Sequence, residues 1–178
     1  AQLLDLSGPV DADAPQLGAL FANHQPMSFI ALYQIYDWDW GCGEHGCQGQ
    51  PLTAPTVTLL GIQTRPGALL QAPARRASIY GDDYVATVLY AEPTRITLAY
   101  TRDGSVANGY TVHLEQVCVD PNLVQRYTEA DHEGRQQLPA LAHGQIFGQA
   151  MAAEVRIAIR DRGAFLDPRS RKDWWHGF

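Results

Sequence analysis

From Thr56 to Gly163 the chain is cut into short apolar runs by turn residues, and this segmentation limits its fold more than any other feature. "TVTLLGIQT", "ASIYG", "YVATVLYAE", "TRITLAYTRDG", "VANGYTVHLEQVCV" and "EVRIAIRDRG" carry β-branched and aromatic residues over strand-like lengths. Asp103-Gly104, inside "YTRDGS", is a hairpin signal. One stretch departs from the pattern. In "DPNLVQRYTEADHEGRQQL" Asp120 suits a helix cap, Pro121 suits the first helical position, and Leu123, Val124 and Tyr127 share a face. The spacing predicts a helix from about 121 to 130. The expected fold is mainly β, a barrel-like sandwich of antiparallel strands with this one helical insertion.

Ahead of the β-rich part, residues 1–18 are rich in Asp, Ala, Gly and Pro and read as an extended arm. In "MSFIALYQIYDWDWGCG" the residues Phe29, Ile30, Tyr33, Ile35 and Tyr36 favour strand. "GQPLTAP" reads as a loop. The organisation is therefore an arm and an aromatic, cysteine-bearing segment over 1–55 packed on a core, a β domain over 56–168, and an aromatic tail over 169–178. With 178 residues, 46% of them hydrophobic and 18% charged, the chain suits one domain with a sizeable core. A formal net charge of -6 argues against a nucleic-acid backbone as partner. No apolar run approaches the roughly 20 residues that span a bilayer as a helix.

Cys42 and Cys47 bracket "GEHG", whose glycines let a short disulfide loop close; free thiols are the alternative. A zinc reading would need Cys42, His45, Cys47 and a fourth ligand, and one short cluster does not close a tetrahedral site. Cys118, between Val117 and Val119, is expected to be a buried thiol. A start at Ala1-Gln2, a single lysine (Lys172) and the glycine-flanked cysteine pair lead to the expectation of a secreted or cell-surface protein.

Two aromatic stretches stand out. In "YDWDWGCGEHGC" an extended chain puts Trp38 and Trp40 on one face and Asp37 and Asp39 on the other. The indoles either cover an end of the barrel or stack on sugar rings and anchor a partner. In the tail "DPRSRKDWWHGF", Trp174 and Trp175 beside Arg169, Arg171 and Lys172 suggest docking, on the chain's own arm or on a neighbour.

"LLGIQTRPGALLQAP" at 59–73, "YTVHLE" at 110–115, "HGQIFGQA" at 143–150 and "EVRIAIRDRGAFLDP" at 154–168 form an ordered set. In order and spacing it resembles the lysostaphin-type zinc endopeptidases, which cut peptide cross-links in bacterial cell walls. The resemblance implies a β fold of that family, with the segment 121–137 as an insertion. It also places Leu59 and Gln63 where the first zinc-binding histidine and the aspartate belong, and Glu154 and Arg156 where the final His-x-His belongs. His113 matches a family histidine that works beside the metal. Leucine cannot ligate, and arginine brings a fixed positive charge. The resemblance thus implies the fold and argues against the activity.

For His113 the residues alone allow a hydrogen-bonded, half-buried histidine on an alternating strand. Glu154 and Arg156, two apart, face one side of a strand, as a surface pair or as partners across the sheet. The sharper expectation is a relict groove with Tyr110, His113, Glu154 and Arg156 on its floor. The functions that follow are three: a non-catalytic bacterial domain that binds envelope peptide or glycan without a cofactor, an extracellular self-assembling subunit, and a metallohydrolase rebuilt around His113, Glu154 and His45.

Overall fold

The computed structural model describes residues 11, 14–23, 27–44, 46–54, 57–73, 78, 79, 81, 83–102, 108–170 and 173–176. In chain order the first strands are β1 (Phe29–Tyr33), β2 (Tyr36–Asp39), β3 (Cys47–Pro51), β4 (Leu59–Gln63) and β5 (Leu69–Gln71). They are followed by β6 (Tyr84–Glu92), β7 (Arg95–Ala99), β8 (Tyr110–Glu115) and β9 (Val117–Val119). Helix α1 (Pro121–His132) precedes β10 (Ala140–Ala142), β11 (Ile146–Ala150), β12 (Glu154–Asp161) and β13 (Ala164–Leu166).

The strands form an eight-stranded sheet in the order β1-β4-β12-β8-β7-β6-β10, with β13 paired to β12, a three-stranded sheet β5-β11-β9, and the β2-β3 hairpin. Alternation along the central strands decides which side each residue takes. Leu60 and Ile62, Ile96 and Leu98, Val112 and Leu114, and Val155, Ile157 and Ile159 are buried on the inner face. They join Leu70, Val117, Val119 and Phe147 of the small sheet in one core. The mainly β, antiparallel expectation holds.

Helix α1 starts where its capping residues put it. The Asp120 side chain accepts from the Asn122 amide at 2.9 Å, with Pro121 behind it, and Leu123 and Tyr127 are buried. It runs to His132, a little beyond the expected end. The run "ASIYG" does not form a strand in its described residues: Ile79 is buried on a turn, its amide bonded to the Tyr84 carbonyl at 2.9 Å, ahead of Asp83 with φ 63°. The Asp103-Gly104 turn lies outside the described residues; β7 and β8 on either side of it pair antiparallel.

Cys118 is exposed, not buried. The physical reason is alternation: Val117 and Val119 both point inward, so the residue between them points out. Cys42 and Cys47 are joined by a disulfide that closes the β2-β3 hairpin. No helix among the described residues is long and apolar enough to cross a membrane.

Described residues of both the arm and the tail belong to the core. Ala14, Leu17, Leu20 and Phe21 are fully buried, with a short 3-10 turn at Leu17–Ala19 in place of an extended chain. Phe21 bridges to Leu70, so the arm adds to the edge of the small sheet. Trp174 and Trp175 are 2% and 1% exposed. Trp174 meets Tyr110 edge to face at 5.2 Å, and Trp175 meets Phe29 at 5.3 Å. Their indole N–H groups donate to the Asp167 and Pro168 carbonyls at 3.0 and 2.7 Å. Both rings are covered within the chain, and the tail docks on the arm through the Leu17 amide and the Trp174 carbonyl.

Candidate functional site on the outer face of the large sheet

The face opposite the core is polar, and its composition follows from the same alternation. β12 contributes Glu154, Arg156, Ala158 and Arg160; β8 contributes Thr111, His113 and Glu115; β7 contributes Arg95 and Thr97. The register sets Arg156 opposite Glu115, Ala158 opposite His113 and Arg160 opposite Thr111. It also sets Thr97 opposite His113 and Arg95 opposite Glu115.

Of the four residues expected on one groove floor, His113, Glu154 and Arg156 share this face. Tyr110 does not. It has the parity of Val112 and Leu114, packs against Trp174, and donates to Asp11 at 2.7 Å. Burial is the first cause that pushes its hydroxyl well above the ordinary tyrosine value, and the Asp11 carboxylate adds to it.

Glu154 and Arg156 are locked into a clamp. The Tyr33 hydroxyl donates to both Glu154 oxygens, at 2.6 and 2.7 Å. Arg156 Nε donates to Glu154 Oε1 at 2.7 Å, and the guanidinium lies 3.9 Å over the Tyr33 ring. Gly61, opposite Arg156, makes the room: a Cβ there would sit 3.1 Å from the Glu154 carboxyl carbon. Burial pushes the Glu154 carboxyl up, but the hydrogen bonds from Tyr33 and Arg156 outweigh it and leave the group below the usual carboxylate range.

A folded-state value below the unfolded one stabilises above the unfolded value and is lost as pH falls through the folded one. Glu154→Gln is therefore expected to cost about 1 kcal/mol at pH 7. The variant should also lose less stability than the parent on acidification through the carboxylate range. Thermal melts at neutral and acidic pH check this; identical acid sensitivity in the two proteins counts against the clamp.

His113 has its own partners. Its Nδ1 is 2.8 Å from Thr97 Oγ1, and its Nε2 is 3.5 Å from Glu115 Oε1. The hydrogen bond to His113 is the first cause that holds Glu115 below the ordinary carboxylate range.

Two cavities meet at His113. The first has a volume of about 270 Å³. Its apolar wall is Ile35, Leu52, Val57, Leu59 and Phe165, and Thr97, Thr111, His113, Glu115 and Arg160 give it a polar floor. Ala158 also lines it, and the small side chain leaves depth. The second, of about 480 Å³, is lined by Trp38, Trp40, Tyr90, Arg95 and His113. Trp38 and Trp40 are 48% and 79% exposed, so they do not seal an end of the sheet. Their rings meet edge to face at 6.2 Å. Asp37 and Asp39 are used locally, accepting from the amides of Trp38 and Gly41 at 2.9 and 2.8 Å. The hairpin thus carries the two expected tryptophans to the face that holds the expected histidine.

The zinc of the resembled peptidases does not fit these residues. Leu59 forms part of an apolar wall, Gln63 pairs with Glu154 across the strands, and Arg156 holds its positive charge against Glu154. Among the described residues no three His, Cys, Asp or Glu side chains are grouped to hold an ion. His45, part of the rebuilt-site alternative, lies outside the described residues. Comparison with protein-family models, curated proteins and solved structures finds no match for the chain.

Tyr33, Thr97, Glu115 and Arg160 were not singled out from the sequence. Glu115 and Arg160 carried a readable signal, since they share parity with His113 and Arg156 on their strands. Tyr33 did not, because the pairing of β1 with β4 is a long-range event.

Proposed function

We propose that this chain is a non-catalytic binding domain, a degenerate relative of the lysostaphin-type peptidases, that holds an extended peptide or glycan of the bacterial cell envelope from outside the cell. One observation carries the reading. Two exposed tryptophans on a disulfide-closed hairpin stand over a cavity that also contains Tyr90, Arg95 and His113. Exposed indoles beside hydrogen-bonding groups suit stacking on a sugar ring or a peptide plane. Glu154 is already held by Tyr33 and Arg156, which speaks for recognition over catalysis.

Of the four tryptophans, only Trp38 and Trp40 are exposed, so a ligand-induced emission change reports on this site. Titration with a short acetylated peptide and with an N-acetylglucosamine trimer is expected to shift the emission for at least one of them. Replacing both residues with alanine should weaken binding roughly tenfold or more without lowering the melting temperature. If neither probe binds, or the double variant binds as well as the parent, the reading fails.

A second reading, self-assembly, has separate support in β1, an edge strand of the large sheet with Ile30 and Leu32 49% and 54% exposed. Light scattering on the same samples separates the two, and a monomer at all concentrations removes the second.

A further inference from the structure

Arg160 has an uncommitted charge at the floor of the smaller cavity. Its Nε is buried and has no hydrogen-bond partner. The guanidinium lies 5.4 Å from the Phe165 ring centre, and among the described residues Arg160 makes no ion pair. By contrast Arg95, Arg135, Arg156 and Arg169 each hold a carboxylate. Buried donors in folded proteins are almost always paired, and Arg160, a lining residue of this cavity, carries the unpaired buried side-chain donor among the described residues. The cavity's own carboxylate, Glu115, is engaged by His113 and lies 4.0 Å from Arg156.

We infer that this cavity is a carboxylate anchor that takes the C-terminal residue of a peptide. Arg160, with Thr111 directly opposite it, receives the terminal carboxylate. A guanidinium fork matches a carboxylate, and the pairing adds geometry to charge. A small aliphatic side chain packs against Ile35, Leu52 and Phe165. At about 270 Å³ the cavity sits at the lower end of ligand pockets, which suits one residue. The residues before it leave past His113, which lines both cavities, toward Trp38 and Trp40. The inference rests on the groove reading above and names its ligand as a peptide with a free C-terminus. A neutral sugar would leave the arginine charge without a counter-charge.

The test compares acetyl-Ala-Ala-Leu as the free acid with the same peptide as its C-terminal amide. Calorimetry gives the affinities, and amide NMR shifts at Thr111 and His113 give the place. The acid is expected to bind about tenfold more tightly than the amide at neutral pH. Arg160→Met keeps the apolar stem and should remove the acid preference, while Arg160→Lys keeps charge without the fork and should retain part of it. The Trp38→Ala/Trp40→Ala variant should weaken both peptides yet preserve their ratio. Equal binding of acid and amide overturns the anchor, as does an acid preference unchanged in Arg160→Met. If neither peptide binds while the sugar trimer still shifts tryptophan emission, the anchor falls and the groove reading stands. If nothing binds, both fall.

Discussion

Replacing Trp175 with alanine is expected to lower stability by about 3–5 kcal/mol, the range for truncating a buried aromatic side chain. Trp175 is 1% exposed, rests against Phe29, and donates its indole hydrogen to the Pro168 carbonyl at 2.7 Å. Removing the ring leaves a cavity between β1 and the tail and an unpaired carbonyl at Pro168. Burial of each indole takes roughly 150–250 Å² from water, worth several kcal/mol at about 25 cal/mol per Å². That gain opposes the ordering of the tail, which costs roughly 1–2 kcal/mol per residue in backbone entropy. Deleting residues 169–178 should therefore also destabilise, by less than the area alone suggests, because the ordering cost disappears with the segment. Urea unfolding of the alanine and truncated variants measures both. An unchanged midpoint in either would mean that the tail lies loosely on the core.

Gly148→Ala is expected to cost about 1–3 kcal/mol through overpacking. A Cβ on Gly148 would lie 2.5 Å from the Cys118 carbonyl oxygen and 3.1 Å from the Val119 Cα. Those are backbone atoms of the neighbouring strand, paired to β11 at Gly148↔Val119, so no side-chain rotation relieves the clash. The two strands must separate. β11 also carries the fully buried Phe147, whose carbonyl accepts from the Asp120 amide at 2.8 Å at the start of α1. The damage should therefore reach the first turn of the helix. Urea unfolding gives the cost, and hydrogen exchange at Cys118, Val119 and Asp120 locates it. A variant with the parent's midpoint and parental protection at these amides would show that the strands have slack.

Local chemistry was legible in the sequence wherever it acts over a few residues. Asp120 and Pro121 set the helix start, and the glycines between Cys42 and Cys47 allow the disulfide the structure contains. The strand-forming runs became strands, except "ASIYG", where a turn at Asp83 sends Ile79 into the core. Neighbours in sequence are not companions on a strand. Flanking valines suggest a buried Cys118, yet on a strand the flanked residue faces the other way. Tyr110 and His113 lie three positions apart on one strand, which puts them on opposite faces. The site itself was half legible. His113, Glu154 and Arg156 declared their face through alternation, and the tryptophans declared their exposure only once the hairpin was placed. Tyr33, which clamps Glu154 across a separation of 121 residues, depends on strand pairing that no local pattern encodes.

The arm and the tail close on each other: the Leu17 amide donates to the Trp174 carbonyl at 2.8 Å. Gln16 holds the Asp173 carbonyl at 2.9 Å and accepts from the His176 amide at 3.0 Å. During synthesis the arm therefore lacks its partner until the segment around Trp174 has emerged. At 5–20 residues per second, that delay is on the order of 10 s. For that interval Phe29 has no Trp175 to meet, and the inner face near β1 is open to other chains. The closing contact joins residues far apart in sequence, the kind that forms slowly because a long loop must be ordered first. A ribosome-bound chain stalled short of Trp174 thus leaves uncovered the apolar surface that the tail later closes.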